Sequence, residues 1–216
     1  MQKNDPQILT LIDRILAQNG EVVVTAYSVL ERTEEIARYI LMKSFEKHGR
    51  PELLDPVFSS LKELTTNAIK ANIKGLLFKE GKFEENSDPI SVVQAIKSVL
   101  NERSLLEYGI KCWNSRLSIR IHFSLQKDRL VIRVIDPHPL TPDVHERVQS
   151  KIERAKGYEN LAMCYLENPD PLAEGMGLGL SMVVVLLKGS KIDPNDFTVT
   201  SDNIRGTTTA QIIIRF

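Results

Sequence analysis

Glu174-Gly175-Met176-Gly177-Leu178-Gly179-Leu180-Ser181 sets three glycines at alternate positions directly ahead of the apolar run 182–187. Glycine lets the backbone approach a ligand and adopt positive φ, while a helix N-terminus offers unpaired N–H groups and a partial positive charge. The segment therefore reads as a phosphate cradle opening an apolar helix that ends near Lys188-Gly189. A glycine-rich helix entry packed tightly on a sheet is the other reading. The spacing is not GxxxxGK[ST], which excludes a P-loop. A dinucleotide fingerprint would need a βαβ unit early in a parallel sheet, whereas this motif comes late, after the charged segment 141–174. That segment is expected to be irregular, with one helical piece over 144–156.

Upstream of it the hydrophobic period is two. Residues 116–123 and 129–135 alternate around the turn Gln126-Lys127-Asp128, which predicts an antiparallel hairpin ending at Asp136. A carboxylate there suits a base amino group, or else it closes the strand in an Asp-Pro turn. Further upstream, a helix from Asp55-Pro56 through Asn72 carries Glu63, Asn67 and Lys70 at i, i+4 and i+7, hence on one polar face. Leu61, Leu64, Ala68 and Ala71 face inward. An amide oxygen suits magnesium, a carboxylate can bind the metal's waters or orient a nucleophile, and an ammonium neutralises phosphate. A solvated helix face is the alternative.

The remaining pattern is a helix over 7–18 stopped by Asn19-Gly20, a β-branched strand over 21–26, and a helix to about Lys47 with Ser28 and Glu31 in a capping box. A surface loop over 78–88, a helix over 90–106, and two final strands, 196–201 and 207–216, around Asn203-Ile204-Arg205-Gly206 complete it. The class is α+β: a two-layer α/β sandwich with a mixed, mostly antiparallel sheet and helices on one face. An N-terminal helix, 1–20, precedes a single domain, 21–216.

Lys+Arg and Asp+Glu number 28 each in 216 residues, so the chain is formally neutral. Bulk attraction to nucleic acid or an acidic membrane surface is thereby excluded in the absence of a local basic patch. Cys112 and Cys164 lie far apart without zinc-ligand spacing, the N-terminus lacks a signal-like stretch, and the run 182–187 is too short to span a bilayer. The expectation is a reduced, cytoplasmic protein.

The order of these elements resembles the GHKL ATPase superfamily, or Bergerat fold, which includes DNA gyrase, histidine kinases and mismatch-repair ATPases. GMGLGLSMVVVLLK is similar to the glycine box of histidine-kinase catalytic domains and ELTTNAIKA to their asparagine box, over roughly residues 55–216. The strand and helix upstream are similar to those of anti-sigma-factor serine kinases. The resemblance implies ATP and Mg2+ as cofactors. Asn67 is then the metal ligand, Glu63 its acidic partner or a general base, and Lys70 a neighbour of the phosphates. Gly175, Gly177, Leu178, Gly179 and Leu180 hold the phosphates, Asp136 binds the adenine amino group with Thr207 or Thr208 beside it, and 141–174 is the lid.

One departure is plain. The family's first glycine box reads D-x-G-x-G, but this chain has Asp136-Pro137-His138-Pro139-Leu140. Each proline fixes φ and removes an N–H, so the turn does not copy the glycine geometry. His138 either reaches into the pocket or belongs to a local turn. His48, at a helix C-terminus, lacks the helical hairpin of a phosphoacceptor and fits a capping role. The resemblance thus implies a kinase-like regulatory module acting on a protein partner, compatible with a homodimer. The alternative is a pseudo-ATPase interaction module with a remodelled adenine pocket.

Overall fold

Period-two alternation over residues 119–136 builds the centre of the molecule. The computed structural model describes residues 5–28, 31–82, 94, 102–167 and 178–216, the side chains of 102–105 and 165–167 excepted. In chain order the elements are α1 (Pro6–Ala17), β1 (Glu21–Ala26), α2 (Glu31–Lys47), α3 (Leu54–Lys79), α4 (Glu102–Asn114), β2 (Ile119–Leu125), β3 (Arg129–Asp136), α5 (Pro142–Lys156), α6 (Leu161–Glu167), α7 (Gly179–Gly189), β4 (Phe197–Asp202) and β5 (Thr207–Arg215). The sheet order is β1-β2-β3-β5-β4.

Side chains on a pleated strand alternate between faces, so the register defines which residues share the core. One row across the sheet runs Val22, Phe123, Ile132, Ile212 and Phe197, all buried. The next runs Val24, Ile121, Val134, Ala210 and Val199. The helices cover this face: Leu61, Leu64, Ile69, Ile73 and Leu76 of α3 and Val183, Val184 and Leu187 of α7 join the same core. The opposite face is largely polar, with His122 Nδ1 3.0 Å from Glu21 Oε1 and Arg133 Nε donating to Gln211 Oε1 at 2.7 Å. The protein is α+β.

Local chemistry accounts for the ends of these elements. Asp5 accepts from the Gln7 N–H at the start of α1, and Pro6 occupies the first turn, where a missing donor costs nothing. Between β4 and β5, Asp202 Oδ1 accepts from the N–H groups of Ile204 and Arg205, and Gly206 takes φ +64°, the left-handed region that glycine enters without steric cost. His48 ends α2 as expected, its Nδ1 bonded to the Ser44 carbonyl at 2.8 Å and its ring stacked on Phe216. Lys47 reaches the C-terminus of α1, donating to the carbonyls of Leu16 and Ala17, where a cation meets the negative end of the helix dipole.

Several expectations are corrected. Every strand pairing is antiparallel, so the sheet is not mixed among the described residues. The direction of β1 is set by how a connection of some ninety residues returns to it, which no local pattern encodes. The helix expected to end near Asn72 continues to Lys79, because Ile73, Leu76 and Leu77 prolong its buried face, and it absorbs the start of the loop expected at 78–88. Of the helix expected over 90–106, residue 94 is helical and 102–106 form the start of α4, which runs on to Asn114 with Tyr108 and Cys112 turned to the core. Residues 90–93 and 95–101 lie outside the described residues, as do 83–88 of the loop and residues 29 and 30 of the expected capping box. The segment 141–174 is more regular than expected: α5 and α6 occupy most of its described part, and Ile152 and Ala155 of α5 are core residues.

Both cysteines are buried and unpaired. Burial pushes the Cys112 thiol up to about 11, which leaves it protonated and unreactive at neutral pH. No helix among the described residues is long and apolar enough to cross a membrane.

Candidate functional site

The face of α3 chosen by the i, i+4 spacing meets the first turn of α7. Asn67 Nδ2 donates to Glu63 Oε1 at 3.1 Å, and both side chains are partly buried. The Glu63 carboxylate lies directly over Gly179: a Cβ at that position would fall onto it. The bare backbone leaves room for this approach between residues more than a hundred positions apart; a Cβ there would push the end of the Glu63 side chain aside. Among the described residues, no side chain caps the N-terminus of α7 at Leu178. A carboxylate there is electrostatically favoured, since the N–H groups of the first turn carry partial positive charge. Lys70 lies one turn beyond Asn67 on α3 and is half-buried. Leu178 is buried, and Leu180 is partly buried against the core. Gly175 and Gly177, the first two glycines of the motif, lie outside the described residues.

A second cluster forms at the end of β3. Asp136 stands on the core face in register with Thr208, which in turn pairs with Ser201. Of the two threonines considered for this place, it is Thr208 that shares the row; Thr207 is opposite Asp202 at the β4–β5 turn. Asp136 Oδ1 accepts from the His138 N–H at 2.9 Å and lies 3.0 Å from His138 Nδ1. Thr208 Oγ1 donates to the His138 carbonyl at 2.6 Å, and the Leu140 N–H donates to Ser201 Oγ at 2.9 Å. The Pro-His-Pro turn is therefore anchored at three successive points. Its imidazole rests on α3, where a Cβ added at Gly75 would meet His138 Nε2 at 2.8 Å. Gly75 follows Asn67 by eight residues, about 12 Å along a helix rising 1.5 Å per residue.

Gly75 and Ser201 were not singled out in the sequence. The signal for Gly75 was its presence inside an apolar helical pattern, where a glycine costs about 1 kcal/mol relative to alanine and marks a close approach. Ser201 carried no such signal.

Burial pushes the Asp136 carboxyl above its ordinary range, and the hydrogen bonds from His138 pull it part of the way back. A carboxyl raised by folding favours its protonated form in the native state. Its contribution to stability is present below the ordinary carboxylate value, about pH 4, and is lost as pH rises through the raised value. Asp136→Asn keeps an oxygen facing His138 but carries no charge. It is expected to gain stability relative to the wild type between about pH 4 and about pH 7, measured by urea unfolding at both values. A difference independent of pH would contradict this environment for Asp136.

A separate cavity of about 20 Å³, lined in part by Ala37, Phe58, Leu61, Thr65 and Ile121, opens between α2 and α3. Thr65 Oγ1 is buried there without a hydrogen-bond partner among the described residues. The space suits a water molecule and is far too small for a nucleotide.

No family model matches the chain, and no solved structure matches it. A curated protein of Treponema pallidum (strain Nichols), described only as an uncharacterized protein, is similar to it, with 29% identity over 170 residues. The match covers 77% of this chain and 33% of that protein, so the chain spans about a third of that relative's length.

Proposed function

We propose that this chain is a Bergerat-fold regulatory module that binds ATP with magnesium, a signalling, kinase-like unit acting on a protein partner. One observation carries the reading. Glu63 and Asn67, chosen from the asparagine-box pattern, are hydrogen-bonded to each other over the bare backbone of Gly179, the residue that opens the helix of the glycine motif. Two motifs far apart in sequence thus converge on one place, as a shared ligand would require. The pair also fits the metal chemically: magnesium keeps one or two protein oxygens and fills its remaining positions with water and phosphate oxygens. In this reading Asn67 holds the metal, with Glu63 beside it. Lys70, Gly175, Gly177, Leu178, Gly179 and Leu180 surround the phosphates, and Asp136 with Thr208 faces the base. When bound, ATP supplies the phosphoryl group for a partner's acceptor, since His48 is engaged as a helix terminus.

The second reading, a pseudo-ATPase that regulates a partner without catalysis, is favoured by the hydrogen bonds that already engage Asp136. Calorimetry with ATP, with and without magnesium, separates the two. The first reading expects saturable, magnesium-dependent heat, weakened at least about tenfold in Asn67→Ala, the scale of one lost hydrogen bond or ligand at a charged group. Absence of heat for ATP or ADP at millimolar nucleotide overturns it and leaves the pseudo-ATPase.

A further inference from the structure

At the base end of this site the geometry disagrees with an open nucleotide pocket. Asp136 Oδ1, the atom that would face a base amino group, is held by both the backbone N–H and the ring of His138. The ring is wedged between that carboxylate and the backbone of α3 at Gly75, where no side chain contests the space. The backbone of the turn has little freedom to carry the ring elsewhere. Pro137 and Pro139 fix φ on either side of His138, Thr208 Oγ1 holds its carbonyl, and Ser201 Oγ holds the N–H of Leu140. What remains mobile is rotation of the imidazole about its own side-chain bonds.

We propose that His138 is a latch occupying the base subsite. The site then takes the polyphosphate end of a nucleotide freely and admits the base only when the imidazole leaves Asp136. This rests on the nucleotide reading given above. A base amino group would replace the imidazole N–H like for like at the same carboxylate oxygen, so the two compete directly. The affinity for the whole nucleotide is reduced by the fraction of molecules in which the latch is open, while that for a base-free polyphosphate is unaffected.

The test compares Mg–ATP with Mg–tripolyphosphate by calorimetry, in the wild type and in His138→Ala. The latch expects ATP to bind at least about tenfold more tightly to the variant, with tripolyphosphate affinity unchanged within about twofold. In the wild type, the ring nitrogen resonances of His138 shift on addition of Mg–ATP and stay in place with Mg–tripolyphosphate. This second measurement stands even if the variant fails to fold. Equal ATP affinity in the two proteins with an unmoved His138 resonance overturns the latch and leaves the nucleotide reading intact. Tripolyphosphate binding with ATP refused by both proteins overturns the latch as well. Failure of both ligands to bind both proteins overturns the nucleotide reading and the latch with it.

Discussion

Replacing Phe123 by alanine is expected to lower the unfolding free energy by about 3–5 kcal/mol, the usual cost of removing a buried aromatic ring and leaving its cavity. Phe123 has no exposed surface and sits in the central row of the sheet, flanked in register by Val22 and Ile132. Strand neighbours hold their positions by backbone hydrogen bonds, so the sheet cannot collapse into the space; only side chains on the overlying helices can relax toward it. The loss is a large share of the roughly 5–15 kcal/mol that stabilises a typical domain. In a chain of this length it corresponds to roughly 6–20 °C in Tm at 2–4 °C per kcal/mol. Urea unfolding should show a lower midpoint with an unchanged slope, because the surface exposed on unfolding hardly differs. A loss below about 1 kcal/mol would place Phe123 outside the core.

Leu187→Ala is expected to cost about 2–5 kcal/mol. Leu187 is fully buried in the last turn of α7, in the same core as Val183 and Val184, and its carbonyl accepts the N–H groups of Ser190 and Ile192 that close the helix. The helix packs against α3 on one side and α5 on the other. Since α7 begins at Gly179, its docking is what holds the backbone of Gly179 beside Glu63. The readout is amide hydrogen exchange. The slow amides of α7 should exchange about thirtyfold faster or more, the equivalent of 2 kcal/mol at 1.4 kcal/mol per factor of ten. A cost near 0.5 kcal/mol, the range of surface substitutions, would mean that α7 is not seated between these helices.

Both substitutions test packing that was only partly legible beforehand. The alternation of residues 119–136 assigns Phe123 and Ile132 to one face, because neighbouring side chains on a strand point to opposite sides whatever lies above them. The apolar run of α7 announces burial but not its neighbours. In the same way, the spacing of Glu63 and Asn67 commits them to one helix face, and the bond between them follows from the helix alone. That this face lies over Gly179 is a property of how α3 and α7 pack.

The rest was invisible for the same reason. The end of α3 was underestimated because burial, rather than intrinsic preference, sustains the helix: Leu76 and Leu77 carry it past Gly75. The choice of Thr208 over Thr207 beside Asp136 needed the register between β3 and β5. The prolines in Asp136-Pro137-His138-Pro139-Leu140 ruled out a glycine-like turn without saying where its imidazole would go. Its resting place between Asp136 and Gly75 joins residues more than sixty positions apart. Propensity, spacing and turn chemistry act over a few residues, and they settled the elements, their buried faces and the kinds of groups those faces carry. Which faces meet depends on burying all of them at once, and that global packing alone assembled Glu63 and Asn67 with Gly179 and set His138 on Asp136.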